Sequence, residues 1–165
     1  MADRRSPTPV SHSVVEMSEI VMPNDANPLG NLMGGRVMQW IDIAAAIAAG
    51  RHARGTVVTA SLDQLDFHHP VRVGAVCVLK ASLNYVHRTS MEVGVKFWSE
   101  DRPSGLRRHV ASAYLTFVAL DENTGRPRPV PPLLPETDEE KRRYREAEAR
   151  REHRLGQRRR SDPGV

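Results

Sequence analysis

GGRVMQWIDIAAAIAAG, residues 34–50, is the stretch on which the reading of this chain turns. Between Val37 and Ala49 only Gln39 and Asp42 are polar, and the run is long enough for more than three helical turns. A helix apolar on nearly all sides needs cover over most of its surface, which a curved antiparallel sheet supplies. Asp42 stands near the middle of that helix, where an ionised carboxylate is costly unless it is paired or hydrogen-bonded. Either a tie to a loop or polar interface, or a chemical task, has to account for it.

Working outward, SVVEMSEIVM (13–22) reads as a first strand ended by Pro23 and followed by the turn-rich PNDANPLGN. After the helix, TVVTASLDQLDFHHP (56–70) alternates apolar and polar residues in its second half, as a half-buried strand does. Strands follow at 75–87, 89–100 and 106–120, joined by PVRVG and DRPSG turns. The order is therefore strand, long apolar helix, then four antiparallel strands: an α+β domain. Such a sheet has edges, and pairing with a second copy through an edge strand protects them.

With 165 residues, 39% of them hydrophobic, the chain supports one domain with a real core, and a second is not expected. Its single cysteine, Cys77, lies in a strand and reads as a buried, inert thiol in a cytoplasmic protein. MADRRSPTPVSHS has no apolar signal core, and no apolar run is long enough to span a bilayer, so neither export nor a membrane partner is expected. The net charge of +4 is spread out: residues 136–165 hold ten Lys/Arg against eight Asp/Glu, and the remainder fourteen against twelve. That argues against a nucleic-acid surface. Asp138–Arg142, Glu139–Arg143 and Glu146–Arg150 have the spacing of ion pairs on a helix, so a charged helix is expected over 136–155. Around it lie a flexible N-terminus (1–12), a proline-rich linker (122–135) and a flexible tail (156–165).

MPNDANPLGNLMGGRVMQWIDIAAAIAAGRH, then VVTASLDQLDFHHPVRVG and HRTSMEVGVKFWSE, in that order and spacing, resemble the hotdog-fold acyl-CoA thioesterases, the group of the bacterial and brain acyl-CoA hydrolases. The resemblance covers residues 14–121, and PVPPLLPETDEEKRRY is similar to a segment that follows the hotdog unit in the brain-type enzymes. It implies a hotdog fold over 13–121, with the sheet wrapped around the central helix. It also implies hydrolysis of acyl-CoA to fatty acid and CoA without a cofactor, in a homodimer and by extension a trimer of dimers.

The same resemblance gives Asp42 the role of general base or nucleophile, in keeping with what a carboxylate can do to a thioester. Gly34 and Gly35 open the helix, where free N–H groups suit an oxyanion, although two glycines also simply relieve crowding. Asp42 is eight residues beyond Gly34, roughly 12 Å along a helix axis, too far for one carbonyl to meet both. The family resolves this with a site shared between two subunits. Asn27 matches the family's catalytic amide, with Asp25 as a residue able to orient it, while Asp-Ala-Asn-Pro is also good turn chemistry. Some members carry a hydroxyl one turn after the carboxylate; here Ala46 stands there, leaving the water's positioning open.

Arg88, Thr89 and Ser90 resemble the family's nucleotide-contacting loop, or form an ordinary polar hairpin. His68 and His69 lack partners at metal-ligand spacing, so no metal is expected. Two other functions stay in view. DANPLG resembles the Asp-x-Asn-Pro-x-His motif of hotdog enoyl-CoA hydratases, but Gly30 replaces the histidine. A non-catalytic acyl-CoA-binding regulator would be expected to carry a DNA-binding helix pair, and none is seen.

Overall fold

The structure is a computed structural model that describes residues 6–161. Five antiparallel strands form its sheet: β2 (Val15–Ile20), β3 (Val57–Phe67), β4 (Val76–His87), β5 (Ser90–Glu100) and β6 (Arg107–Ala119), in the order β2-β4-β5-β6-β3. Helix α1 (Gly34–Ala53) lies on one face and helix α2 (Asp138–Ser161) on the other. The five expected strands and both helices are present.

Small residues decide how α1 seats itself. Ala44, Ala45, Ala48 and Ala49 recur at helical spacing with Val37, Ile41 and Ala53, and all are buried against the sheet. Opposite them the sheet offers Leu79, Leu83, Val93, Phe97, Leu115 and Phe117 from successive strands. The sheet does not wrap the helix all round, however. Met38, Ile43 and Ile47 on the far face are 44%, 41% and 41% exposed. The five-stranded sheet covers one face of the helix and leaves the other open within the single chain.

The two sheet edges differ in kind. Edge strand β2 is six residues long and carries Glu16, Ser18 and Glu19, with Glu16 paired to Lys80 at 3.1 Å. Short, charged edges resist pairing. Edge strand β3 is eleven residues long and exposes Val58, Leu62 and Phe67.

The ends of the chain are more ordered than expected. Within the N-terminal twelve residues, β1 (Thr8–Pro9) pairs in parallel with β7 (Leu133–Leu134), and a 3₁₀ turn over Val10–Ser13 packs into the core. Residues 122–135, expected to be a linker, form a strap across the domain. Arg128 donates to the carbonyl oxygens of Ala53 (2.8 Å) and Leu120 (3.1 Å), and the Val130 N–H donates to Arg88. The His52 Nε2–H donates to the Pro131 carbonyl at 2.8 Å. Prolines favour an extended path, and buried Val130 and Leu133 hold that path down.

Helix α2 runs to Ser161, past the expected end at 155, because Gln157 and the arginines after it are good helix formers. Residues 1–5 and 162–165 lie outside the described residues. Of the expected helical pairs, Glu139–Arg143 forms, but Arg150 turns inward. Its guanidinium stacks on the Tyr114 ring at 3.8 Å and forks onto Glu92 at 2.7 and 3.2 Å. Glu92 is 2% exposed and also accepts from Asn84, so this clasp fixes α2 to the outer face of the sheet. A cavity of about 420 Å³ remains beneath α2, its cations largely matched by Glu16, Glu92, Glu139 and Glu146.

Candidate active site

The loop that leads into α1 is held by two short polar side chains. Asp25 accepts from the Met22 N–H at 3.0 Å and from Arg36 Nε at 2.7 Å, which pins the loop to the first helical turn. It makes no bond to Asn27, so the expectation that Asp25 orients the amide is corrected. Asn27 is oriented by its own turn: its Oδ1 accepts from the Leu29 and Asn31 N–H groups at 3.0 and 3.1 Å. The turn reading and the site reading therefore describe one arrangement, since locking Oδ1 leaves the Nδ2 amide hydrogens without an acceptor among the described residues. Gly30 closes this turn at φ +77, a left-handed backbone that suits glycine and not the histidine of the hydratase motif.

Gly34 and Gly35 begin α1 with no side-chain cap, and no described group accepts their N–H hydrogens. Both Asn27 and Gly34 line a cavity of about 330 Å³. The ring of Phe67, at the end of β3, lies 3.6–3.7 Å from where a Cβ on Gly34 would stand.

Asp42 lies two turns further along α1. It is half-buried in the single chain rather than enclosed, and its Oδ1 accepts from the Thr59 Oγ1–H at 2.7 Å. Thr59 was not singled out in the sequence, because threonine is an ordinary strand residue. The signal sits in the pairing of β3 with β6, whose register slips between Thr59 and Ser61, the kind of bulge that re-aims side chains. With Ala46 lacking a hydroxyl, the one that meets Asp42 comes from the facing strand. Since β3 runs antiparallel to α1, Thr59 meets Asp42 while Phe67 meets Gly34. One protomer thus holds Asn27 and Gly34 at the start of α1 and Asp42 with Thr59 two turns away.

Arg88, Thr89 and Ser90 form the tip of the β4–β5 hairpin, with Arg88 in a left-handed conformation (φ 47) and Ser90 Oγ donating to the His87 carbonyl. Ser90 lies one register row from Thr59 and two strands across, roughly 10 Å away by strand spacing. The loop therefore shares the sheet end of the Asp42 half-site, and the Arg88 side chain is exposed. His68 packs against His109 with ring centres 5.4 Å apart, and among the described residues no three His, Cys, Asp or Glu side chains gather as metal ligands. Cys77 is buried, which pushes its thiol up to about 12 and keeps it protonated and inert.

Comparison with known proteins fits this geometry. The family model of the thioesterase superfamily matches residues 29–105. An uncharacterized acyl-CoA thioester hydrolase of Bacillus subtilis is 45% identical over 129 residues, covering 78% of this chain and 74% of that one. The chain belongs to the thioesterase superfamily. Among solved thioesterases of the hotdog fold, an apo-hexameric acyl-CoA thioesterase superposes with a TM-score of 0.88 at 41% identity, over 92% of this chain and 97% of that one. An acyl-CoA hydrolase from Staphylococcus aureus, solved with butyryl coenzyme A, coenzyme A and coenzyme A disulfide, gives 0.87 at 39%, over 94% of each chain. That hydrolase has also been solved with an asparagine, an aspartate fifteen residues later or a threonine seventeen beyond that changed to alanine. The chain spans 38% of the length of the mouse cytosolic acyl coenzyme A thioester hydrolase that it matches. Among the described residues of this thioesterase no helix is long and apolar enough to cross a membrane.

Proposed function

We propose that this thioesterase hydrolyses acyl-CoA to a fatty acid and CoA in sites shared between two subunits. One subunit supplies Asn27 and Gly34, and its partner supplies Asp42 and Thr59. The observation that carries the reading is the division of labour along α1: unoccupied amide donors at its start, and a carboxylate set by a threonine two turns on. The spacing from Asn27 to Asp42 and from Asp42 to Thr59 equals that between the residues changed in the S. aureus variants, which supports the same grouping.

Asp42 keeps Oδ2 free to take a proton from water while Thr59 holds Oδ1, or it attacks the carbonyl itself. The Gly34 N–H and the Asn27 Nδ2–H stabilise the charge that develops on the carbonyl oxygen. On the base route, collapse breaks the C–S bond, the carboxylic acid forms and the CoA thiolate takes the proton held by Asp42. On the nucleophilic route the same cleavage leaves an acyl–Asp42 anhydride, which water hydrolyses to the carboxylic acid and the free carboxylate, releasing the proton that the thiolate takes up. Base and oxyanion donors together meet the needs of the reaction, so we assign no metal or other cofactor. Gly35 is a second donor in reach of the same end, and Arg88, Thr89 and Ser90 are proposed to meet the CoA nucleotide.

The proposed dimer pairs the β3 edges and brings the open faces of α1 together, covering Met38, Ile43 and Ile47. Hexameric relatives support joining three such dimers, with α2 as a contact. A cytosolic location follows the mammalian relatives named for it.

Thiol release from acyl-CoAs of graded length, from acetyl to palmitoyl and with a metal chelator present, tests the reading. Turnover above background is expected for at least one length. Binding without turnover points to a sensor, and hydration of a trans-2-enoyl-CoA points to a hydratase; either outcome overturns the proposal.

A further inference from the structure

We propose that Phe67 sets the length of acyl chain the protein accepts, its ring forming the end wall of the acyl pocket. The inference rests on the assignment of Asn27 and Gly34 as the donors to the thioester carbonyl. Those two residues line the cavity of about 330 Å³, and Leu32, Val37, Val71 and Val110 line it further, all four side chains buried. A carbonyl held by the amides has the acyl chain on one side and the sulfur with its polar pantetheine arm on the other. The apolar walls match the acyl side.

Among the described residues that line this cavity, Phe67 carries the largest apolar side chain, beside the polar rings of His68 and His69. It ends β3, pairs with Ala111 across the sheet, and its ring reaches the start of α1 at Gly34. Ala111 is too small to buttress the ring, and within one subunit Phe67 stays 51% exposed, so its own chain packs it lightly. A large side chain that faces a glycine and an alanine within its own subunit is where a change of size alters the cavity without disturbing that subunit's core. Each added methylene in a fitted apolar pocket changes discrimination by roughly tenfold or more.

Phe67→Ala, Phe67→Leu and Phe67→Trp should be compared with the wild type for kcat/KM across saturated acyl-CoAs from C4 to C16, together with inhibition by free CoA. Phe67→Ala should raise the ratio of the C12 to the C4 value by about tenfold or more, and Phe67→Trp should lower it. Phe67→Leu should shift the ratio upward in smaller measure; because it keeps an apolar side chain on the edge strand, it decides the matter if sedimentation shows that the alanine variant no longer assembles. Inhibition by free CoA should not change. An unmoved length profile in the leucine and tryptophan variants overturns the inference. So does an equal loss at every length accompanied by weaker CoA inhibition, which would put the pantetheine arm in this cavity, against Asn31 and the His68–His69 pair. Absence of turnover by the wild type at every length would instead bring down the thioesterase reading on which the inference stands.

Discussion

The role proposed for Asp42 rests on Thr59 engaging one of its oxygens and leaving the other free among the described residues. Asp42→Asn keeps the size and most hydrogen-bonding reach of the side chain but removes the base. Activity should fall at least about a hundredfold, the lower end for losing general acid or base catalysis. The melting temperature should hold or rise, since an amide is less costly than a carboxylate where a second subunit covers it. Thr59→Val keeps the shape and deletes the 2.7 Å bond. A hydrogen bond to a charged group contributes about 1.5–3 kcal/mol, so kcat should drop by roughly tenfold to a hundredfold with KM little changed. A Thr59→Val enzyme with wild-type kcat would reduce that contact to a structural tie. Asp42 was legible as an anomaly in an apolar run, whereas Thr59 looks like any strand threonine until the strand pairing is known.

At the scale of elements, the last turn of α1 is joined to the C-terminal strap through His52. A carbonyl only accepts, so the bond to Pro131 fixes the Nε2–H tautomer and leaves Nδ1 buried with no partner. Burial in the first place, and the nearby Arg54 and His12 charges in addition, hold the His52 pKa below its usual 6.5, against the opposing pull of the Pro131 bond. Between the lowered value and 6.5 the unfolded chain binds the proton and the folded one does not, so this contribution to stability is complete above 6.5 and shrinks as the pH falls below it. Melting curves of the wild type and His52→Gln, recorded from pH 8 to 5, should converge on the acid side. Parallel curves would show that His52 carries no part of the acid sensitivity. The strap itself was hidden in the sequence, because RPRPVPPLLP is as compatible with a free linker as with a packed one. Only the burial of Val130 and Leu133 separates the two.

At the scale of the whole molecule, the proposed site needs two protomers, since within one chain Gly34 and Asp42 stand two turns apart on α1. Subunits of Asp42→Asn mixed with subunits of Asn27→Ala should therefore regain activity, each mixed dimer rebuilding one of its two sites. With free exchange at equal amounts the recovery approaches about a quarter of the wild-type rate, since half of the dimers are mixed. No recovery despite demonstrated exchange would mean that both residues act within one chain, or that one of them does not act. The proposed assembly would account for the apolar surface left open on α1 and β3, since pairing there would bury it.

The sequence by itself determined the element order, the five strands and the helix with its alanine face, because apolar periodicity and turn residues act over a few positions. It also marked Asp42 as out of place in an apolar helix, whereas Asn27 reads locally as turn chemistry and Gly34 as relief of crowding, and only the family resemblance gave those two a role. Tertiary structure alone decided which side of α1 remains open, which edge strand is left bare, where Arg150 finds its partner and which hydroxyl meets Asp42. Each of these depends on residues tens of positions apart along the chain, and their meeting is set by strand register and packing, which no local pattern encodes.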